Sequence, residues 1–175
     1  MAGCASTGGG RDAAGGVDVA RFHLGEPVAR AQISIEPFDP GDAGRADYAA
    51  YAAAVARQLT RLGWTVVRTR GQSELVALID VEQGSRAAIT ALSAARVGRG
   101  IAAQTPAGGA ENVVATLLEV AIRRPSDGTV FWEGRAVGET PAGAAAPTAA
   151  ATVEKLAEAL FRDFPGESGR TIRIR

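Results

Sequence analysis

Residues 111–138 constrain the fold of this chain more than any other stretch, because they contain two strand-like runs joined by Asp127-Gly128. An Asp-Gly pair between two apolar runs is a strong sequence signal for a tight β-hairpin, since glycine adopts a positive φ angle at little cost. Both runs are long and mostly apolar. We therefore predict that this hairpin forms the centre of a sheet.

The loop length decides which residues of the hairpin face each other, because side chains alternate between the two faces of a strand. A two-residue loop would set Ile122 beside Glu133 and mix apolar and charged side chains on one face. A three-residue loop with a left-handed glycine sets Ile122 opposite Trp132 and Glu119 opposite Arg135. We predict this second register, with one apolar face and cross-strand ion pairs on the other face.

Two amphipathic helices are predicted, one before the hairpin and one after it. The first spans residues 45–62, and its apolar side chains recur every three or four positions. The second spans residues 148–164 and has the same period before Pro165-Gly166 ends it. The two stripes consist of Tyr48, Tyr51, Val55, Leu59 and Leu62, and of Val153, Leu156, Leu160 and Phe164.

Further strands are predicted where apolar residues alternate with polar ones. They lie at residues 17–23, 28–38, 64–69 and 75–83, and residues 170–175 are expected to add an edge strand. The strand at 64–69 follows a helix, which predicts a crossover that pairs it parallel to residues 30–36. Residues 84–110 have no sustained period, and we expect strand residues near 87–92 followed by a long loop.

These elements predict an α+β domain of two layers, in which an antiparallel or mixed sheet of about five to six strands is covered by two helices. The domain is expected to span residues 17–166, a length typical of a single domain. Residues 1–16 are small and polar and predict a flexible tether. Residues 167–175 form a C-terminal tail.

The charge balance argues against a nucleic-acid-binding function. Lysine and arginine together number 19, aspartate and glutamate together number 19, and the isoelectric point is about 6.6. A general binder of nucleic acid needs a basic surface that neutralises phosphates. No apolar run in the sequence reaches the roughly 18 residues that indicate a membrane-spanning helix.

The sequence contains no recognisable catalytic, cofactor-binding or metal-binding constellation, so we predict a protein that is not an enzyme. Asp80 and Glu82 share one face of a predicted strand, about 7 Å apart, and some hydrolases use paired carboxylates. Two carboxylates on a solvated face are more common, and the sequence favours that interpretation. His23 is the only histidine, so a zinc site would lack its usual ligands. Residues 98–100 lack the full phosphate-binding fingerprint, and Ser126 is interpreted as a turn residue.

Cys4 is the only cysteine and is a candidate lipid-attachment site. The preceding Met1-Ala2-Gly3 is similar to the end of a bacterial lipoprotein signal, where Leu-Ala-Gly precedes the acylated cysteine. The basic and apolar regions of a signal peptide do not precede it in this sequence. We expect that the signal has been trimmed or replaced and that Cys4 begins the mature chain. A free thiol in a flexible leader is the alternative.

Several short motifs of this sequence resemble a set that occurs together in one known protein family. They are the strand pair LLEVAIRRPSDGTVFWEGRA at residues 117–136, with its Trp-x-Gly, and the helix VEKLAEALFRDFPG at residues 153–166, which leads to Phe-Pro. Three further motifs belong to the same set: RFHL at 21–24, the helix-Gly-aromatic junction at 62–64 and ELVALIDVE at 74–82. Together they resemble the bacterial lipoprotein family called domain of unknown function 4136. The resemblance covers most of residues 17–166, and the chain departs from the family at its start and in residues 95–110.

The resemblance implies a lipid-anchored protein of the cell envelope that faces the periplasm, with Cys4 as the acylated residue and the outer membrane as the favoured location. It implies no biochemical role. We predict a non-catalytic domain that binds a protein or cell-wall partner and needs no cofactor. Two alternatives stay open. One is a carrier or sensor whose apolar ligand lies in a pocket lined by Trp132 and the helix at 45–62, and the other is a hydrolase that uses Asp80 and Glu82.

Overall fold

The computed structural model describes residues 15–25, 27, 29–68, 73–95, 113–143 and 146–175. Within this part of the chain, seven strands form one mixed sheet. The strands are β1 (Val17–His23), β2 (Gln32–Pro37), β3 (Thr65–Val67), β4 (Leu75–Gly84), β5 (Val113–Arg123), β6 (Val130–Pro141) and β7 (Thr171–Ile174). The α-helices of the same residues are α1 (Tyr48–Arg61), α2 (Arg86–Ala95) and α3 (Ala149–Phe161). None of these helices is long and apolar enough to span a membrane.

The predicted α+β class is confirmed, and the strand order is β3-β2-β4-β5-β6-β1-β7. β2 pairs in parallel with β3, as the predicted crossover through α1 requires, and it also pairs in parallel with β4. The other neighbouring strands of the described sheet are antiparallel. The sheet has seven strands rather than about five to six, because the short strands β3 and β7 both join it as edges.

The central hairpin of β5 and β6 has the predicted register. Ile122 lies opposite Trp132 on the apolar face, and Glu119 lies opposite Arg135 on the other face. The alternation of side chains decided this outcome, because the competing register would have buried Glu133 against the main core.

The turn of this hairpin is longer than the predicted three residues. The N–H of Arg124 donates to the carbonyl of Thr129 at 2.9 Å, so residues 125–128 lie between the two partners. Gly128 has the expected positive φ angle of 73°. Beyond the turn, Phe131 is an additional residue on β6 that has no partner on β5. This β-bulge compensates for the longer turn and restores the predicted register.

α1 and α3 lie side by side on one face of the sheet and cover the main apolar core. α1 begins at Tyr48, later than predicted, and follows a 3-10 helix at Pro40–Gly44 that Asp39 caps. α3 begins after Thr148, whose hydroxyl accepts a hydrogen bond from the N–H of Ala151 at 3.2 Å. α3 therefore starts where a side chain satisfies a free backbone N–H group, whereas Asp47 at the start of α1 forms no such side-chain bond.

The prediction of strand residues near 87–92 is wrong, because this segment belongs to helix α2. Ser85 precedes the helix, and its hydroxyl accepts a hydrogen bond from the N–H of Ala88 at 3.2 Å. This contact caps the first turn. The remainder of the predicted loop, residues 96–110, lies outside the described residues.

α2 packs on the face of the sheet opposite α1 and α3. Ile89 and Leu92 of the helix contact a small apolar cluster formed by Ala115, Leu117 and Val137. These sheet residues alternate along their strands with the residues of the main core, so their side chains point to the other face. The fold therefore has helices on both faces of the sheet, instead of the two predicted helices on one face.

The Trp-x-Gly and Phe-Pro motifs meet in the main core. The ring of Trp132 is fully buried and stacks on Phe161 with 5.4 Å between the ring centroids. Its indole N–H donates to the carbonyl of Pro165 at 3.0 Å. A Cβ atom at Gly134 would lie 2.4 Å from the Trp132 ring, so only glycine leaves room for the indole. These two motifs are parts of one packing arrangement.

Arg21 connects β1 to the C-terminal end of α3. Its guanidinium donates to the carbonyl of Leu160 at 2.8 Å and to the carbonyls of Ala159 and Arg162, both at 2.9 Å. Carbonyls in the last turn of a helix have no partner within the helix and need one outside it. Burial lowers the pKa of Arg21, while the charge of Asp163 acts in the opposite direction.

Candidate functional site

A concave surface lies at the end of the sheet where β1 ends and where β2, β4 and β6 begin. Its cavity has a volume of about 610 Å³, which is within the range of ligand-binding pockets. We call it the sheet-end cavity. Its described lining consists of Pro27, Ala29, Ala31, Ser73, Glu74, Leu75, Arg124, Pro125, Ser126 and Phe131.

The residues that line this cavity come from several connections between strands rather than from one strand. The connection from β1 to β2 supplies Pro27, and the turn from β5 to β6 supplies Pro125. The start of β4 supplies Leu75, and the β-bulge supplies Phe131. A bulge interrupts the alternation of side chains and redirects the residue at that point. The same extra residue that restores the hairpin register therefore also lines the cavity.

Large apolar side chains are exposed near the cavity. Within the described residues, the exposed ones are Leu24 at 54%, Phe22 at 41% and Val130 at 38%. The N–H of Leu24 donates to the carbonyl of Phe131 at 3.2 Å, so Leu24 lies beside the cavity lining. Val130 directly precedes Phe131 in β6. We call the cavity together with Leu24 and Val130 the sheet-end surface; Phe22 lies opposite Glu133 in the sheet and is not part of it.

The rim of the cavity carries an ion pair and a separate carboxylate. Arg124 donates to Oδ2 of Asp127 at 3.0 Å, and Oδ1 of Asp127 accepts from the N–H of Thr129 at 2.9 Å. The hydrogen bond from Thr129, followed by that from Arg124, lowers the pKa of Asp127. Glu74 is exposed on the rim and forms no ion pair within the described part of the chain.

Asp80 and Glu82 lie in a second hollow, which has a volume of about 470 Å³ and which we call the acidic hollow. Its described lining consists of Phe38, Asp39, Pro40, Asp42, Asp80, Glu82 and Glu119. The two carboxylates therefore share a concave surface, as the hydrolase alternative requires. Among the described residues, no group of three or more histidine, cysteine, aspartate or glutamate side chains is arranged to hold a metal ion.

The predicted cross-strand ion pair between Glu119 and Arg135 is present, with 3.2 Å between the charged atoms. It is not solvated, because both side chains are at most 4% exposed. Arg135 also donates to the carbonyl of Ser93 in α2 at 3.4 Å. The helix that the sequence did not predict thus covers this pair and makes it part of the interior.

His23 has the structural role that the sequence favours. Its Nε2 lies 3.0 Å from the carbonyl oxygen of Gly166, and its Nδ1 accepts from the N–H of Gly25 at 3.1 Å. Nε2 is therefore the protonated nitrogen. Both ring nitrogens are used within the chain and support the end of β1.

The interior pocket that the carrier alternative expects is not found in the described structure. Trp132 is fully buried, and Phe161 and Phe164 pack against its ring. Tyr51, Val55 and Leu59 of α1 are also buried in this filled core. The sheet-end cavity lies elsewhere and is not lined by Trp132 or by α1.

Sequence reasoning missed the sheet-end cavity, because its residues come from separate connections that have no periodic pattern. It interpreted Ser126 only as a turn residue, whereas Ser126 lines the cavity. The available signal was the presence of proline in two connections, Pro27 and Pro125, next to apolar strand ends. Cys4 and residues 98–100 lie outside the described residues.

Comparisons with known proteins identify a relative and a similar fold. No protein-family model matches the chain. An uncharacterized protein of Zymomonas mobilis is 26% identical over an alignment 212 positions long, which covers 91% of this chain and 80% of that protein. A PDZ domain protein from Parabacteroides distasonis has a TM-score of 0.55 at 10% identity, over 92% of this chain and 39% of that chain. A PelC dodecamer from Paraburkholderia phytofirmans has a TM-score of 0.45 at 10% identity, over 83% of this chain and 91% of that chain.

The likeness to the PDZ domain protein shows a shared fold and nothing further, because the sequence identity is only 10%. This chain spans well under half the length of that protein. The structure and the comparisons therefore define an α+β protein whose relative is itself uncharacterized.

Proposed function

We propose that this chain is a non-catalytic protein of the bacterial cell envelope, anchored by a lipid on Cys4, whose periplasmic domain binds a protein or cell-wall partner. The sheet-end surface is the observation that carries the proposal. It combines a cavity of about 610 Å³ with Leu24, whose side chain is 54% exposed beside it. Exposed apolar side chains around a concave site are typical of surfaces that bind partners.

The anchor rests on the sequence around Cys4. The Ala-Gly-Cys context is similar to the end of a lipoprotein signal, and the motifs at residues 117–136 and 153–166 resemble a lipoprotein family. These observations support an outer-membrane location that faces the periplasm. The packing of Trp132 against Gly134 gives one of those motifs a role in the fold.

The anchor is tested by the intact mass of the protein after expression from its full native gene in a bacterial host. We expect the mass of the mature chain to include a diacylglyceryl group, and we expect Cys4→Ala to remove it. An unmodified native protein would contradict the anchor and leave the binding surface to be tested by itself.

The binding surface is tested by photocrosslinking in living cells. A photoreactive amino acid is placed at Leu24 or Val130, and at Thr60 or Ala151 as exposed control positions on the helices. We expect one discrete adduct from the first two positions and none from the controls. Equal labelling from all four positions would show that the sheet-end surface has no partner.

A hydrolase that uses Asp80 and Glu82 is the second candidate function, and the acidic hollow favours it. Its test is a comparison of the wild type with Asp80→Asn and Glu82→Gln on model ester and glycoside substrates. We expect no turnover that depends on either carboxylate, and a loss of measurable turnover in both variants would support the hydrolase instead.

A further inference from the structure

We propose that the sheet-end cavity binds a peptide segment of a protein partner, in which a large apolar side chain is next to a lysine or arginine. The inference rests on the proposed function, since it names the chemistry of the partner that the sheet-end surface would bind. It follows from the lining of the cavity, from the charges on its rim and from its position relative to the tether.

The apolar part of the segment follows from the lining. Leu75 and Phe131 contribute large apolar side chains to the lining, and Ala31 contributes a small one. Pro27 and Pro125 have no N–H group, so these two walls offer no backbone donors to a ligand. These walls favour an apolar side chain, because sugar hydroxyls packed against them would lose hydrogen bonds to water without replacement.

The basic part of the segment follows from the charges on the rim. Arg124 and Glu74 are the charged residues of the described lining. The charge of Arg124 is already balanced by Asp127, with 3.0 Å between the charged atoms. Glu74 has no such partner within the described part of the chain. Among the described residues, the rim therefore has one negative charge that no ion pair compensates, at Glu74, which attracts a cation and repels an anion.

The choice of a protein segment over a lipid surface follows from the position of the cavity. β1 starts at Val17, the end that the tether enters, and ends at His23 beside the cavity. Its seven residues separate the two ends by about 20 Å. The cavity thus opens at the end of the sheet opposite the start of β1, where the proposed tether joins the domain, and this position suits a protein partner better than the membrane surface.

The test uses the full 175-residue chain without the lipid, and three capped pentapeptides: Gly-Lys-Phe-Lys-Gly, Gly-Gln-Phe-Gln-Gly and Gly-Glu-Phe-Glu-Gly. Binding is followed by amide chemical shifts at an ionic strength of about 0.01 M, where charges act over about 30 Å. We expect the lysine peptide to shift the amides of Ala29, Ala31 and Leu75. We expect it to bind about two- to fivefold more tightly than the glutamine peptide, as suits a single exposed ion pair.

Two variants separate the charge from the cavity. Glu74→Gln keeps the size of the side chain, and we expect it to remove the preference for lysine while the glutamine peptide binds as before. Ala29→Trp places a large side chain on an exposed lining position, and we expect it to abolish binding of all three peptides. Ala151→Trp, at an exposed position of α3, is the matched control and keeps wild-type binding.

Three results would overturn the proposal. The first is equal binding of the lysine and glutamate peptides by the wild type. The second is a set of shifted amides outside the cavity lining. The third is binding of the unlipidated chain to phosphatidylglycerol vesicles that is lost in Leu24→Asp, because a lipid surface would then be the occupant. A discrete crosslink from Leu24 in cells, combined with any of these results, would retain the partner-binding function and reject only the peptide chemistry.

Discussion

The contact between Arg21 and the end of α3 allows a quantitative prediction. In Arg21→Met the apolar stem is kept, while the guanidinium and its three hydrogen bonds are lost. The bonds to Leu160 and Ala159 are buried, so two carbonyls lose their partners in the interior. Each buried carbonyl without a donor costs about 1–3 kcal/mol, and the lost charge at the helix C-terminus costs about 0.3–1 kcal/mol more.

Part of this loss is offset, because the variant no longer buries a charged group. Burial lowers the pKa of Arg21 because the interior disfavours its charged form, so removal of the charge recovers part of the lost stability. We expect a net decrease of about 3 kcal/mol in the free energy of unfolding, measured by urea denaturation with an unchanged m-value. Arg21→Lys keeps the charge but cannot reach three carbonyls at once, so we expect an intermediate decrease of about 1–2 kcal/mol.

A decrease below about 1 kcal/mol for Arg21→Met would refute the reasoning, since it would mean that water satisfies the carbonyls as well as the guanidinium does. Gly166→Ala provides an independent check. Its added Cβ would lie 2.5 Å from Cδ of Arg21 and would displace the side chain without removing its charge. We expect it to destabilise the wild type and to have a smaller effect in the Arg21→Met background, because the two changes act on one contact.

Further predictions concern the core and the pH dependence of stability. Gly134→Ala places a Cβ 2.4 Å from the Trp132 ring, and we expect a loss of about 1–3 kcal/mol with altered tryptophan fluorescence, whereas Gly44→Ala, with open space around it, changes neither. Burial, and then the hydrogen bond to Asp47, raises the pKa of Tyr51 from 10.0 to about 12. The stability linked to Tyr51 is therefore complete below pH 10.0 and falls as the pH rises towards about 12. Denaturation and tyrosinate absorbance should show this fall and its loss in Tyr51→Phe; a tyrosine that titrates near its ordinary pKa would contradict it.

The centre of the fold was predictable because a strand has a strict side-chain period. Ile122 and Trp132 belong to one apolar face, and only one register brings them together. The turn length was not predictable in the same way. A longer turn followed by a bulge at Phe131 gives the same pairing of the strands as a shorter turn without one, so the apolar pattern does not distinguish them.

α2 and the sheet-end cavity were missed for different physical reasons. The segment of α2 consists mainly of alanine, serine and threonine, and Ile89 and Leu92 provide too few apolar positions to establish a helical period. The capping residue Ser85 was the remaining local signal. The cavity has no local signal, because Ala31, Leu75 and Phe131 come together only when three distant segments join one sheet.

The place of β1 in the sheet determines when folding can be completed. Val17, in the first strand of the sheet to be synthesised, pairs with Gly138 on one side and with Ile174 on the other. Neither neighbour exists until most of the chain has left the ribosome, and closing such large loops costs entropy before any contact is made. The described sheet therefore cannot be complete before Thr171–Ile174 have been synthesised, and β7 then pairs along the edge formed by β1.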